Sequence, residues 1–252
     1  MNFASILLVH YSQTDPDNSN SRFEMLKKCI QSLKENTDYP AEILVWDNGK
    51  SINDTNWLVE QVQNGTINLL LRSKDNMSFG YAWNALARLA SGDFLAFVCN
   101  DLEFRPGWLS QTIAGLEKYP ERKLIATPYI TPDKDRPNYN KEVLSDGYRI
   151  NSMAGSNCFV LTPQVFKDIG EIPHHRIGGS FWYRRMVRKG YLVIVPPTDL
   201  VCHLAFRHGV DWKKPVKVEK KLLNNEIVNY DYHIEKKKYY DGKQRAAGCS
   251  IG

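Results

Sequence analysis

Apolar and polar positions along this chain switch repeatedly between the period of a strand and the period of a helix. Residues 3–10 form an almost continuous apolar run, the pattern of a strand covered on both faces. Residues 21–36 place Phe23, Leu26, Ile30 and Leu33 at helical spacing. Ile43-Leu44-Val45-Trp46 predicts a second strand, closed by the turn signal Asp47-Asn48-Gly49. A helix over 54–63 and a strand over 67–71 follow. Residues 79–90 predict a helix with Ala82, Ala85, Leu86 and Leu89 on one face. A strand over 93–99, a helix over 106–118 and a strand over 124–127 continue the alternation. Such a β-α-β-α order with short connections predicts a parallel sheet with helices on both faces.

The regularity breaks near Pro128. Thr131 to Asn138 is polar and carries two prolines, so it reads as a loop. Beyond it, 155–161 reads as a strand, and a short helix carrying Val165 and Phe166 ends at Gly170. Residues 181–189 read as a helix stopped by Gly190, and 191–195 as a last strand. The expected organisation is one α/β domain over 1–210 and a basic helical extension over 211–252.

Composition narrows the class. With 252 residues, 42% hydrophobic and 12% aromatic, the chain fits a globular α/β protein. No apolar run reaches the roughly 20 residues that span a bilayer, and the first strand lacks the basic start of a signal peptide. The five cysteines form no CxxC pair, which argues against a zinc site or disulfide framework and for a reducing, cytoplasmic setting. The net charge is +5, with Lys213, Lys214, Lys217, Lys220, Lys221, Lys236, Lys237 and Lys238 all in the tail. That run is either a solvated helical face or a contact for a membrane surface or anionic substrate. Nothing in the pattern calls for a nucleic-acid partner.

The chemistry concentrates where the strand over 93–99 ends in Asn100-Asp101-Leu102-Glu103. Ligands of open α/β sheets sit outside the carboxyl ends of the strands. Carboxylates there face solvent, a metal or a cation, because burying them unpaired is costly. The alternative is a solvated loop leading into the next helix.

Several segments in order resemble the family 2 glycosyltransferases of GT-A fold, in particular the rhamnosyltransferase-like group. Val9-His10-Tyr11 is similar to the family's Val-x-Tyr-Asn, with Ser12 in place of Asn. Val45-Trp46-Asp47-Asn48-Gly49 resembles Val-Val-Asp-Asn-Gly. Asn76-Met77-Ser78-Phe79 with Asn84 resembles Asn-x-Gly-Phe...Asn, with Ser78 for Gly. Cys99-Asn100-Asp101 resembles Asn-Asn-Asp, the local form of the metal-binding DxD, and Pro106-Gly107-Trp108 its usual helix start. Gly155, Phe166, Gly170 and His203 fall at matching places, so the resemblance covers about 3–208.

The resemblance implies a metal-assisted transfer of a sugar from a nucleotide-diphosphate donor, UDP- or dTDP-linked, to a glycan or lipid-linked hydroxyl acceptor. It implies a donor site drawn from His10, Tyr11, Asp47, Asn76, Asn84, Asn100 and Asp101. A cation bridging the diphosphate stabilises the leaving group, and Mg2+ or Mn2+ suits oxygen ligands. Asp101 is the principal candidate ligand, with His203 and Glu103 beside it. Glu103 has a second reading, as a charge favouring the following helix N-terminus. Asn84 is an unfavourable residue inside a helix and asks for a hydrogen-bonding reason there.

One departure matters. Where the family carries a Glu-Asp pair whose Asp is the general base, this chain has Gly178-Gly179-Ser180 before the matching Arg185 and Gly190-Tyr191. Removing the acceptor proton needs another group. His174 and His175 are candidates with suitable intrinsic acidity, and Asp146 and Asp199 are others. The alternatives are a retaining mechanism or a noncatalytic nucleotide- or glycan-binding protein of the same fold. A sugar nucleotidyltransferase and a nicotinamide enzyme rank below these, for want of a Gly-rich phosphate loop or GxGxxG after the first strand.

Overall fold

In a computed structural model, residues 2–11, 16–49, 51–131, 140–151, 157–174, 178–204, 221–223 and 226–228 are described. The chain begins β1 (Ala4–His10), α1 (Pro16–Asn36), β2 (Ala41–Asp47), α2 (Ile52–Gln63), β3 (Leu69–Arg72), α3 (Phe79–Leu89) and β4 (Phe94–Cys99). It continues β5 (Leu102–Phe104), α4 (Trp108–Lys118), β6 (Leu124–Ala126), β7 (Tyr129–Thr131), β8 (Asn140–Val143), β9 (Arg149–Asn151) and β10 (Cys158–Leu161). Then come α5 (Pro163–Ile169), α6 (Gly178–Arg188), β11 (Leu192–Val195), β12 (Asp199–His203), β13 (Lys221–Leu223) and β14 (Glu226–Val228).

Nine strands form the main sheet in the order β3-β2-β1-β4-β10-β6-β11-β9-β8. The first four are parallel, as the alternation predicts. β10 runs antiparallel to both β4 and β6, an inserted strand in the mostly parallel sheet that the GT-A resemblance implies. β5, β12 and β7 form a small second sheet. Periodicity does not reveal β5, β7, β8, β9 and β12, whose short runs mix polar and apolar residues, whereas the equally short β6 and β10 are apolar throughout.

β1 is buried along its whole length, and its side chains alternate between two cores. Ile6 and Leu8 join Leu26, Ile30 and Leu33 of α1 and Trp108 and Ile113 of α4. Leu7 and Val9 join Trp83 and Leu86 of α3 and Trp182 and Met186 of α6. Each fully buried Leu or Ile contributes about 1.5–3 kcal/mol of transfer free energy. Phe97 of β4 and Phe159 of β10 face each other in register and stack at 4.5 Å, with Trp83 edge-on to both. This stack holds the antiparallel strand against the parallel half.

The chain divides into two compact units, Met1–Gly209 and Val210–Gly252. The helical extension expected over 211–252 lies mostly outside the described residues. Its two described pieces, β13 and β14, pair as an antiparallel hairpin and not as a helix. No helix among the described residues is long and apolar enough to cross a membrane. Cys29, Cys99, Cys158 and Cys202 are thiols, not disulfides, in or against the core, and burial pushes the first three well above the ordinary thiol pKa.

Candidate active site

The strand order reverses direction at β1: the chain moves from β1 to β2 on one side and returns to β4 on the other. A crevice opens at the carboxyl ends of strands at such a switch point. His10 closes β1, Asp47 closes β2, and Asn100-Asp101 follow β4, so four of the sequence candidates converge on this edge.

His10 is fully buried. Its Nε2 lies 2.9 Å from Asp54 Oδ2, and its Nδ1 lies 2.9 Å from the side-chain nitrogen of Asn100. Asp54 sits in the first turn of α2, where Ser51 is the N-cap and donates its hydroxyl to Asp54 Oδ1 at 2.6 Å. Sequence reasoning missed Asp54. The available signal was Ser51-x-x-Asp54, the spacing of a capping box.

Asp47 is also fully buried, and both its oxygens are engaged. Oδ1 accepts from Gly49 N at 2.7 Å, and Oδ2 accepts from Thr55 Oγ1 at 2.6 Å with Arg72 Nε at 3.6 Å. The carboxylate thus closes the turn and ties β2 to α2. Asn48, read from sequence only as a turn residue, organises the next loop. Its Oδ1 accepts from Trp46 Nε1, Ser73 Oγ and Met77 N, and its Nδ2 donates to Met77 O. Asn76 stands half-buried in that loop. Ser78, which replaces the family glycine, caps α3 by accepting from Tyr81 N.

Asp101 and His203, far apart in the chain, are brought together in space. Asp101 Oδ2 lies 3.5 Å from His203 Nε2, and Leu204 N donates to the Asp101 carbonyl at 2.8 Å. Asp101 Oδ1 is buried with no hydrogen-bond partner among the described residues. Burial raises the Asp101 carboxyl above its ordinary value, while His203 and Arg22 pull it back. Arg22, in α1, also lies over the Tyr11 ring at 5.8 Å. It was not singled out from sequence, since a lone arginine on a helical face carries no pattern. Glu103 is placed apart. It lies opposite Cys202 in the β5–β12 register, between core-facing Leu102 and Phe104, so it projects from the other face of that small sheet. Among the described residues no cluster of three His, Cys, Asp or Glu side chains forms.

A divalent cation fits the Asp101–His203 pair. The pair offers a carboxylate and an imidazole within reach of one ion, and the unpartnered Asp101 oxygen is the kind of group an ion satisfies. Such a mixed oxygen and nitrogen set suits Mn2+ better than Mg2+, which prefers oxygen throughout.

On the far side of the crevice, Asn84 has the reason that its helical position asked for. Its Oδ1 accepts from Ile172 N at 3.0 Å, and its Nδ2 donates to Ile172 O at 2.9 Å and to His174 Nε2 at 3.0 Å. The Tyr81 ring meets His174 edge-on at 5.3 Å. With Nε2 accepting, a neutral His174 carries its proton on Nδ1. His175 lies outside the described residues. Asp146 is paired with Lys118 at 2.5 Å and with Tyr119 Oη at 2.9 Å, and Asp199 with Arg105 at 3.0 Å. α6 opens on Gly178-Gly179, with no carboxylate in its first turn.

The family model described as Glycosyl transferase family 2 matches residues 18–192. No curated protein matches the chain significantly in sequence. Among solved structures, GalNAc-T7 with UDP, GalNAc and Mn2+ is similar, with TM-score 0.64 and 16% identity, covering 80% of this chain and 43% of that one. Residues 1–349 of S. aureus TarS give TM-score 0.59 at 17% identity, covering 81% of this chain and 61% of that one. The same TarS fragment in complex with UDP-GlcNAc gives TM-score 0.55 at 17% identity, with the same coverage. The chain spans less than two thirds of either relative, and at these identities the likeness establishes the GT-A fold.

Proposed function

Because the chain belongs to glycosyl transferase family 2, we propose that it transfers a sugar from a nucleotide-diphosphate donor to a hydroxyl of a glycan or lipid-linked acceptor. The observation that carries this reading is the Asp101–His203 pair, with an unpartnered buried carboxylate oxygen, at the switch-point crevice. The UDP in the GalNAc-T7 structure and the UDP-GlcNAc in the TarS complex favour a UDP-linked donor over a dTDP-linked one.

Asp101 and His203 would hold Mn2+ or Mg2+ in this reading, and the cation would supply positive charge against that growing on a departing diphosphate. Arg22 adds a second positive charge on the same side, and the Tyr11 ring that it covers offers a face for the base. Asn48 and Asn84 fix the loops on either side, so the walls are preorganised before ligand arrives. The lysines beyond residue 212 suit an anionic carrier at a membrane surface.

A second reading is a nucleotide- or glycan-binding protein without turnover. It is favoured by the Gly178-Gly179 start of α6 and by the filled lone pair of His174 Nε2. A base role for His174 requires Asn84 to release that nitrogen; otherwise the proton acceptor is His175 or the acceptor's own surroundings.

Thermal unfolding with UDP, dTDP, GDP and CMP, each with and without Mn2+, tests donor binding, because a ligand of the folded state alone raises the melting temperature. UDP should stabilise the protein only with metal present. Asp101→Ala should weaken the metal-dependent binding about tenfold or more; unchanged affinity in Mn2+ would remove the metal assignment. Release of UDP that depends on an added acceptor would exclude the noncatalytic reading.

A further inference from the structure

We propose that Asp54 and His10 form a buried positioning relay that turns the carbonyl oxygen of Asn100 toward the crevice, making position 100 a hydrogen-bond acceptor for the nucleoside part of the donor. The inference rests on the donor-site reading of the crevice and extends it to the buried residues behind Asn100.

Asp54 is buried and receives the Ser51 hydroxyl on Oδ1. Its Oδ2 faces His10 Nε2 at 2.9 Å. With Asp54 ionised, its carboxylate accepts only and Nε2 carries the proton. In a neutral ring Nδ1 then holds a lone pair, and the group facing it must donate. That group is the Asn100 amide nitrogen at 2.9 Å. An amide that spends its NH2 on one side presents its oxygen on the other, and Asn100 is only half-buried. The orientation of Asn100 is therefore set by a carboxylate 46 positions earlier in the chain, through a histidine at the end of β1.

Placement gives the relay its purpose. His10 ends β1 and Asn100 follows directly on β4, the two strands that flank the switch point, and Asn100 precedes Asp101. An aliphatic side chain at position 10 would fill the same buried site with no polar group to satisfy. A histidine and an aspartate there instead fix one rotamer at the crevice wall, which is how buried partners support a binding site. A fixed acceptor beside the diphosphate position selects a ligand that offers an O–H or N–H there, such as a ribose hydroxyl.

Two measurements test the relay. The first is 15N NMR of the His10 ring in the wild-type protein: the neutral form protonated on Nε2 is expected, and an imidazolium or an Nδ1-protonated ring would overturn the proposal. The second compares UDP with inorganic pyrophosphate, both in Mn2+. His10→Leu should weaken UDP about tenfold and leave pyrophosphate unaffected. His10→Gln, which offers one donor and one acceptor, should restore most of that loss. Equal weakening of both ligands, or no weakening of UDP in a folded His10→Leu, would overturn it. If wild-type protein binds neither ligand, the donor-site reading has failed, and the NMR result alone judges the relay.

Discussion

Asn84 shows what a single polar side chain does beneath this site. It satisfies both backbone groups of Ile172 and touches His174, 90 residues away along the chain. Asn84→Ala would leave a buried N–H and a buried C=O without partners, a cost of about 2–4 kcal/mol. Urea unfolding at neutral pH measures this directly, and a midpoint equal to wild type would refute the role. The need for a partner was legible in the sequence, because asparagine is unfavourable inside a helix. The identity of the partner was not, since no local pattern connects Asn84 to Ile172 or His10 to Asp54. Asp101 was legible because a carboxylate ending an apolar strand is conspicuous. Arg22 and Asp54 were not, because each looks like an ordinary surface charge until the strands are ordered.

At the scale of elements, the helices and long strands followed from periodicity and their ends from capping chemistry. Ser51, Ser78 and Thr162 each accept a backbone N–H as N-caps. Ser78→Ala should cost about 1 kcal/mol in thermal or urea unfolding, with donor affinity tested in parallel because the same turn borders the crevice. α3 also packs closely on the connection between α5 and α6. A Cβ at Gly80 would stand 2.6 Å from the Pro173 carbonyl oxygen, so Gly80→Ala must push that segment away. The expected loss is about 1–3 kcal/mol; a variant as stable as wild type would show that the segment yields freely. β5 and β12 stayed hidden because their short runs mix polar and apolar residues. They nonetheless bring His203 beside Asp101, so the second ligand of the proposed cation site depends on the least legible part of the fold.

Across the whole molecule, several surface carboxyls are held below the usual carboxylate pKa range by cations. Lys118 does this for Asp146, Arg122 for Glu142 and Lys189 for Asp168. A depressed carboxyl contributes stability above its unfolded value, near pH 4, and loses it as pH falls through the folded value. The melting temperature should therefore drop below about pH 4, and less steeply in Asp146→Asn. Added salt should shrink this part of the profile, because the pairs are exposed. Asp101 has the opposite sign: burial raises it, so its protonated form favours folding and that contribution is lost as pH rises.

The buried thiols give the molecule a built-in clock. Cys29 of α1, Cys99 at the end of β4 and Cys158 at the start of β10 surround the strand end that carries Asp101, and burial keeps all three thiols protonated. Cys29 Sγ points at the Cys99 carbonyl at 3.7 Å. A thiol-specific reagent reaches the buried Cys29 and Cys158 only when the structure opens, so their rate of reaction counts openings, while the half-buried Cys99 reports on what covers the end of β4. With Cys249 replaced by serine, that count can be read in native buffer by mass spectrometry, residue by residue. A nucleotide that seats in the crevice should slow labelling of Cys99 more than that of Cys202, turning an inert part of the core into a record of how often the site breathes.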